Sequence, residues 1–598
     1  MADLASTNPS VEKDLAEFKA VKTRRMPNEK IWDLIAQYVL TRKRGFSSAT
    51  NDGAFYLYGD VYDNTAAKAT VIAASAYVGA LWKNGARTFR ITPPKSIKNL
   101  STKVKDYYSE INRRTVKHIE HKDAGFTTAF FEYMLEEVAF GTSAIGVFRA
   151  KEGSKHRLEF RAMELKSLYV VEDAMGRVIK VFYEVELNAT QLFGEYGSAA
   201  FTDKVKAAYE SNDFTTKFKV LWIIRPRKRY DPKIKNNQNM PWESVHILED
   251  EKVELRNSGF WDNPIKVVRF YKNQGEEYGR SAGMDALPSI IELNGAKEII
   301  HKTGEKNLMP PLFVLDDGSF GGGFIDQSPN ALNVLDISSR ISNTPPIGVV
   351  GTTGDAQLML KLVEMLTSEV LSHFSVDRLL DLNNQTRMTL GEAQIRNEMR
   401  SDSNGGTYSR QMDEGLTPLI QTSIGMLAEE GELGVIAGSP EEKALKAQGI
   451  EPLYIPEEVI KARTQGEEIF NIEYISPAAR ILRSEELRGV MNYLQFAGQF
   501  YGVAPEYMIR VNKKVSGELV RDLGGAPPEL FHSDEEYEKE MQKFEESQQL
   551  RMQMEMAKTQ ADVAAKQGSA AQQTAQAEAT RSGMGGGGAS GGTGISML

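Results

Sequence analysis

Residues 278–431 constrain the fold of this chain more than any other stretch. A helix-patterned run in YGRSAGMDALPSIIELNGAKEIIHKTGEKNLMPPLFVLDDG gives way to a Pro/Gly/Asp-rich excursion at 309–354. A second helix-patterned run follows at 355–380, then a short polar loop at 381–388, then a very long helix. The first helix, read over 284–308, spans about 37 Å, and Pro288 sits in its first turn or kinks it. The excursion reads as short strands and tight turns. Thr389 precedes Glu392 by the spacing of a capping box, which starts a helix running to about residue 430 that Gly405-Gly406 bends. Two helices separated by a compact insertion, followed by a loop and a longer helix, form an unusual plan for an enzyme. That plan suits a subunit that builds a tube.

The flanking regions read as α+β. Residues 1–28 are polar and expected to be mobile until docked, with a first helix starting near Asn28, where Ile31, Ile35, Tyr38 and Val39 share a face. An alanine-rich helix follows at 65–86, with Thr65 as N-cap and Gly85 as stop signal. Further helices are expected at about 98–121 and 123–140. GTSAIGVFRA, HRLEFRAME, SLYVVEDAMG and RVIKVFYEVE then read as one antiparallel meander with a turn at Met175-Gly176. Short helices at 189–211 interrupt the strand-like runs, which resume and close with PIKVVRFYK. Beyond 434 the pattern is mixed, and helices are expected at 483–501, 505–511 and 515–522. A charged, Gln/Met/Ala-rich helix begins at 534, and the tail at 566–598 is flexible by composition.

Composition narrows the function. A chain of 598 residues suggests roughly two to four domains. It has no cysteine, which excludes disulfides, thiolate metal sites and cysteine nucleophiles. The opening MADLASTNPS carries no basic-plus-apolar signal pattern. No uncharged apolar run approaches the ~20 residues needed to cross a bilayer, so no membrane insertion is expected. A net charge of -9 argues against coating DNA by bulk positive charge and leaves local basic contacts open.

Several segments together resemble the head-to-tail connecting proteins of short-tailed phages, the podovirus-type portal family. They are YGDVYDNTAAKATVIAASAYVGAL, EYMLEEVAFGTSAIGVF, the YGRSAGMDALPSIIELN segment with its PPLFVLDDG and SPNALNVLD, and NNQTRMTLGEAQIRNE. They span roughly residues 30–430 in order, and beyond that the likeness is one of layout. The resemblance implies an α+β portal fold, assembled as a ring of about twelve copies at one capsid vertex. It places an N-terminal arm and wing at 1–277, stem helices at 278–308 and 355–380, and a clip between them at 309–354. A tunnel loop at 381–388, a long wing helix and wing remainder at 389–480, and a helical crown at 481–565 follow. It further implies double-stranded DNA in the channel during packaging and ejection, and a clip that docks the terminase large subunit and then tail adaptor and nozzle proteins. Major capsid and scaffolding proteins are the other implied partners. The implied location is the virion, with assembly in the host cytoplasm.

The resemblance puts the docking surface of the clip at Asp316, Asp317, Phe320, Phe324 and Asp326. It puts the DNA contact of the tunnel loop at Asn383, Asn384, Gln385, Thr386 and Arg387. The loop's composition agrees, because amides beside a single cation offer weak, reversible hydrogen bonds to phosphates; the plain alternative is a solvated loop. No catalytic residue, metal site or cofactor is expected. His118 and His121 lie at helical spacing around Glu120 and could hold a metal, but no third ligand motif accompanies them, and a polar helix face is the simpler reading. DDGSFGGGF lacks the GxxxxGK[ST] pattern of a phosphate loop, which argues against a packaging ATPase. The adjacent carboxylates Asp316-Asp317, Glu136-Glu137 and Glu429-Glu430 do not converge on one point. The basic cluster RPRKRYDPKIK at 225–235 is read first as a solvated strand end, then as a subunit interface, and last as a nucleic-acid contact. The Met-rich C-terminal helix could serve as a partner surface. The competing functions are another capsid-vertex or tail adaptor protein, or a DNA-packaging enzyme.

Overall fold

The first helix, expected to start near Asn28, begins at Pro9 among the described residues: α1 (Pro9–Tyr38) continues through Pro27, and residues 9–28 are docked in it. Val11, Leu15, Phe18 and Val21 recur at helical spacing and are buried, so the first half of α1 has an apolar stripe of its own. Charged residues on either side mask that stripe in the sequence. The computed structural model describes residues 9–41, 61–82, 88–93, 101–151, 153–154, 156–200, 202–231, 234, 236–308, 312–314, 347–349, 356–376 and 406–436. Beyond these it describes 438–439, 442–443, 446, 452–464, 469–474, 476, 484–499 and 534–582.

After α1 come α2 (Thr65–Leu81), β1 (Phe89–Thr92), α3 (Thr102–Ile119) and α4 (Phe126–Phe140). The N-cap of α2 is Asn64 rather than Thr65, and Asn64 makes no side-chain cap bond; instead the preceding Asp63 carboxylate accepts the Thr65 N–H at 3.0 Å and the Thr65 hydroxyl at 2.9 Å. The strands are β2 (Thr142–Arg149), β3 (Leu158–Met163), β4 (Leu168–Glu172) and β5 (Val178–Asn188). Helices α5 (Ala189–Tyr196) and α6 (Asp203–Glu210) intervene before β6 (Lys217–Pro226), β7 (Trp242–Leu248), β8 (Val253–Phe260) and β9 (Ile265–Arg269).

The expected single meander is two sheets. β2 pairs with β3 on one side and with the distant β9 on the other, giving the order β3-β2-β9. β4 to β8 form a separate five-stranded antiparallel sheet in sequence order. The chain changes sheet between Met163 and Leu168 through a short 3-10 turn at Leu165–Ser167. Strand propensity carries no signal for such a switch, because both sides of it are β-branched and aromatic. The Met175-Gly176 turn forms as expected: Gly176 has φ 75°, and Asp173 Oδ1 accepts the N–H groups of Met175 and Arg177.

The five-stranded sheet is buried on both faces where α1 crosses it. Tyr169, Phe182, Leu221, Ile223, Val245 and Ile247 face the stripe on α1, while Leu168, Val170, Val181 and Tyr183 alternate to the opposite face and join the main core. Ion pairs fasten α1 across the strands in turn. Glu12 meets Lys252 beside β8 at 3.2 Å, Asp14 meets Arg225 on β6 at 2.5 Å, and Glu17 and Lys22 meet Lys180 and Glu184 on β5 at 2.6 and 3.2 Å. At the far edge the buried Arg25 guanidinium donates to the carbonyls of Leu165, Lys166 and Leu168 and lies 3.6 Å from the centre of the Tyr169 ring.

The main core gathers the second half of α1, helices α2 to α4, the three-stranded sheet, and three later helices. Two of these are α7 (Ala282–Leu308) and α8 (Ala356–His373), separated by the short strands β10 (Leu312–Val314) and β11 (Ile347–Val349). The third is α9 (Thr417–Glu429), entered through a π-helical turn at Gln411–Leu416. The bend expected at Gly405-Gly406 falls at the limit of the described residues, with Gly405 outside them, while the π-helical turn is an irregularity within them. The π-helical turn lies over β9, where a Cβ on Gly415 would stand 2.9 Å from Val268 Cγ2. Inside the same contact the Gln411 amide donates to the buried Glu137 carboxyl and accepts from the Tyr133 hydroxyl at 2.7 Å. Farther along, a strand at Asn471–Tyr474 returns to pair antiparallel with β1.

The last 113 residues, from Glu486, cluster as a separate unit. Its main described element is a helix at Asp534–Ser582, of 49 residues. The helix runs past the expected start of a flexible tail at 566, because Ala and Gln favour helix strongly. Its side chains described from 550 to 576 are exposed. No helix among the described residues is long and apolar enough to cross a membrane.

Two outcomes follow from these packings. Phe18→Ala removes a ring packed 4.9 Å from Tyr169 and 5.6 Å from Phe182. It should destabilise the α1–sheet contact by about 3–5 kcal/mol and speed tryptic cleavage at Arg24 and Arg25, read by limited proteolysis. Burial raises the Glu137 carboxyl from 4.5 to about 8. Because the folded value lies above the unfolded one, this group's contribution is complete below about pH 4.5 and is lost as pH rises to about 8. The unfolding free energy from urea titration should therefore fall more for the wild type than for Glu137→Gln between pH 5 and pH 8, by on the order of a few kcal/mol.

Candidate functional site

The YGRS segment is where the sheet hands the chain to the helical hairpin, and each of its residues has a structural task. The Tyr278 ring is buried edge-on against Trp32 at 5.2 Å, and its hydroxyl accepts the Val170 N–H at 3.3 Å. Gly279 lies directly on Gly141: a Cβ built on Gly279 would stand 2.2 Å from the Gly141 carbonyl oxygen, and Gly141 itself has φ 78°. No side chain fits either place. The Gly279 N–H donates to Thr142 Oγ1 at 2.7 Å. Arg280 exchanges backbone hydrogen bonds with Tyr271 and reaches Glu276 with its side chain at 2.7 Å. Ser281 starts α7 by accepting the Met284 N–H at 2.9 Å while donating to the Ala139 carbonyl at 2.7 Å.

From this anchor α7 and α8 pack side by side. Ser289, early in α7, donates to Glu369, late in α8, at 2.9 Å, so the helices run antiparallel. Ala286, Ile290 and Leu293 are buried with Leu366, Val370 and Phe374. Pro288 is the seventh residue of α7, and the helix continues through it. It deprives the Met284 carbonyl of its usual partner. Asn294 Oδ1 accepts the N–H groups of Tyr62 and Asp63 at 2.7 and 3.2 Å, and Lys297 pairs with Asp63, so α7 also holds the start of α2. At the far end β10 and β11 pair antiparallel, Leu312 opposite Val349 and Val314 opposite Ile347. This ribbon closes the base of the segment inserted between the helices. Outside the core, Ile291, Ile299, Leu358, Leu360 and Met365 remain exposed on the hairpin.

The expected contact residues of the inserted segment, Asp316, Asp317, Phe320, Phe324 and Asp326, lie outside the described residues. So do Asn383, Asn384, Gln385, Thr386 and Arg387 of the polar loop, and the capping pair Thr389 and Glu392.

Other sequence candidates find separate partners. Glu136 accepts the Leu165 N–H at 3.2 Å while Glu137 turns to Gln411. Glu429 pairs with Arg149, and Glu430 with Arg157 at 3.3 Å. In the basic cluster, Arg225 is held between Asp14 and Glu243, and Arg227 donates to the Met240 carbonyl at 2.9 Å. These two arginines brace α1 and the sheet. His118 is buried and faces Glu432 at 3.7 Å instead of pairing with His121.

Two arrangements carried no legible sequence signal. Arg269, 3% exposed, lies between Glu172 and Glu414, and Lys272 meets Glu172 at 2.5 Å. This network locks β9 to the β4–β5 turn and to the π-helical turn. The second is a cavity of about 1180 Å³ bordered by Phe148, Trp222, His246, Trp261 and Met426. Within it His246 stacks on Trp222 at 5.2 Å and bonds the Tyr196 hydroxyl at 2.9 Å. Burial, then the nearby Arg256, pulls the His246 imidazole down to about 3, so it stays neutral and structural.

The model of the family described as bacteriophage head to tail connecting protein matches residues 12–531. A relative described as a probable portal protein, from Bordetella phage BPP-1, is 23% identical over 583 residues, covering 95% of this chain and 97% of its own. Among solved structures, a chain of the virion of a native gene transfer agent particle is 12% identical. It covers 65% of this chain and 91% of its own at a TM-score of 0.29, a likeness too slight to bear on the fold. The family match spans α1, both sheets, the Gly141–Gly279 junction and the helical hairpin, and on that span the chain belongs to the bacteriophage head to tail connecting protein family.

Proposed function

We propose that this protein is the portal subunit of a phage virion. Copies of it form a closed ring of about twelve around a channel for double-stranded DNA. The observation that carries this reading is the family match over residues 12–531. The antiparallel hairpin of α7 and α8 agrees with it, because the hairpin leaves large apolar side chains uncovered in the single chain. Such side chains call for a covering surface, and neighbouring copies supply one. The role is structural, with no chemistry assigned to any residue.

The hairpin serves as the stem, 309–354 as the clip that docks the terminase large subunit and later tail adaptor and nozzle proteins, and 381–388 as the tunnel loop. Residues 1–277 and 389–480 form the wing, and 481–565 the crown. The wing and crown contact major capsid and scaffolding proteins during assembly in the host cytoplasm. Docking runs through Asp316, Asp317, Phe320, Phe324 and Asp326. Asn383, Asn384, Gln385, Thr386 and Arg387 touch DNA with few cationic contacts. The net charge of -9 per chain favours sliding over tight, salt-dependent binding.

Negative-stain imaging of the purified protein should show rings with a central hole, and monomers under every condition would overturn the proposal. Replacing Gln385 and Arg387 together by Ala should lower DNA packaging or retention at least a few-fold while rings persist. Unchanged packaging and retention would remove the loop from the DNA path without touching the ring.

A further inference from the structure

The turn between α3 and α4 brings together side chains that the portal reading does not use. His121 is the N-cap of a 3-10 turn at Lys122–Ala124, where its Nδ1 accepts the Asp123 N–H at 3.2 Å and lies 3.7 Å from Asp123 Oδ2. His156 reaches the same place from the end of the β2–β3 loop. The two imidazoles lie with centres 5.2 Å apart and planes 16° apart. His156 is 8% exposed, and its Nε2 makes no hydrogen bond within the chain. Glu159 Oε1 lies 3.7 Å from that nitrogen. One ligand atom from each of His121, Asp123 and His156 lies within 4.8 Å of the others.

An ordinary structural use of these groups leaves a buried imidazole nitrogen without a hydrogen bond, which is costly. Two imidazoles and a carboxylate form a donor set that suits zinc and neighbouring divalent transition metals. Around a tetrahedral ion with ligands at about 2.0–2.2 Å, donor atoms stand roughly 3.4 Å apart. The His121–Asp123 separation is already close to that, and small side-chain rotations bring in His156. The His121 lone pair that takes the Asp123 N–H faces the Asp123 carboxylate, so metal binding replaces one long hydrogen bond.

We propose that His121, Asp123 and His156 bind a divalent transition-metal ion, with Glu159 or water as a fourth ligand. The ion staples the β2–β3 loop to the α3–α4 turn. Next to it, Arg157 already bridges Glu430 and Glu432, and His118 also faces Glu432. The metal therefore adds a fixed point where the helices, the three-stranded sheet and the chain after α9 meet.

The test uses the full chain without a histidine tag, stripped with chelator and titrated with zinc or cobalt(II). Equilibrium dialysis should give one ion per chain, with the visible absorption of tetrahedral cobalt, and metal should raise the melting temperature. His156→Gln and exposed-site Asp123→Asn should each weaken binding at least about tenfold and cancel the rise in melting temperature. His373→Gln, at a histidine on α8 that meets Glu369 and is not part of the cluster, should bind as the wild type does. Absence of saturable binding in the wild type overturns the proposal, as does unchanged affinity in a folded Asp123→Asn protein.

Discussion

Two glycines pressed backbone to backbone hold this fold in register. Gly141 ends α4 and opens β2, and Gly279 precedes α7. Their contact brings helix end, sheet and hairpin within the width of a peptide group. A methyl group at either place would push α7 away from Thr142 and Ala139, which accept the Gly279 N–H and the Ser281 hydroxyl. The packing of Ala286, Ile290 and Leu293 against α8 follows from where that junction aims α7. The conspicuous YGRS sequence is therefore a statement about backbone clearance as much as about side chains.

Charge is used inside this protein mostly as a positioning device. Arg25, Arg269 and Arg225 each bind more than one acceptor, and each acceptor set spans different elements. A guanidinium suits this work because its donors form a rigid fork. Removing one partner would leave the other charge buried, so these pairs specify which elements meet more surely than they add stability. The cluster at 225–235 illustrates the point. Its density of basic residues looks like a binding patch, but Arg225 serves the α1–sheet contact and Arg227 ties β6 to β7 and β8.

Much of the fold was legible because helical periodicity and glycine placement are local signals. The α2, α4 and α7 helices and the Met175-Gly176 turn lie close to where the sequence puts them. The failures share a cause, since they depend on partners far away in sequence. The first half of α1 is helical because Val11, Leu15 and Phe18 find a sheet that begins more than a hundred residues later. The exchange between sheets after Met163 depends on β9 pairing with β2. His121 finds His156 and not His118, because the β2–β3 loop folds back over the α3–α4 turn. The family was recognisable from ordered motifs, whereas the proposed DNA and docking contacts fall on segments outside the described residues.

The α1 strap also has a mechanical meaning. It crosses the five-stranded sheet from beside β8 to the edge at β4, with ion pairs beside β8 and on β6 and β5 and a guanidinium contact at β4. Its second half is sunk in the main core through Trp32, Ile35 and Ala36. A pull along the helix axis therefore loads all of these contacts at once, in shear, and the strands cannot separate one by one. A pull at right angles to it would peel them in succession at far lower force. The sheet is stiff in one direction and yielding in another, a property that neither core would have without the helix that ties them.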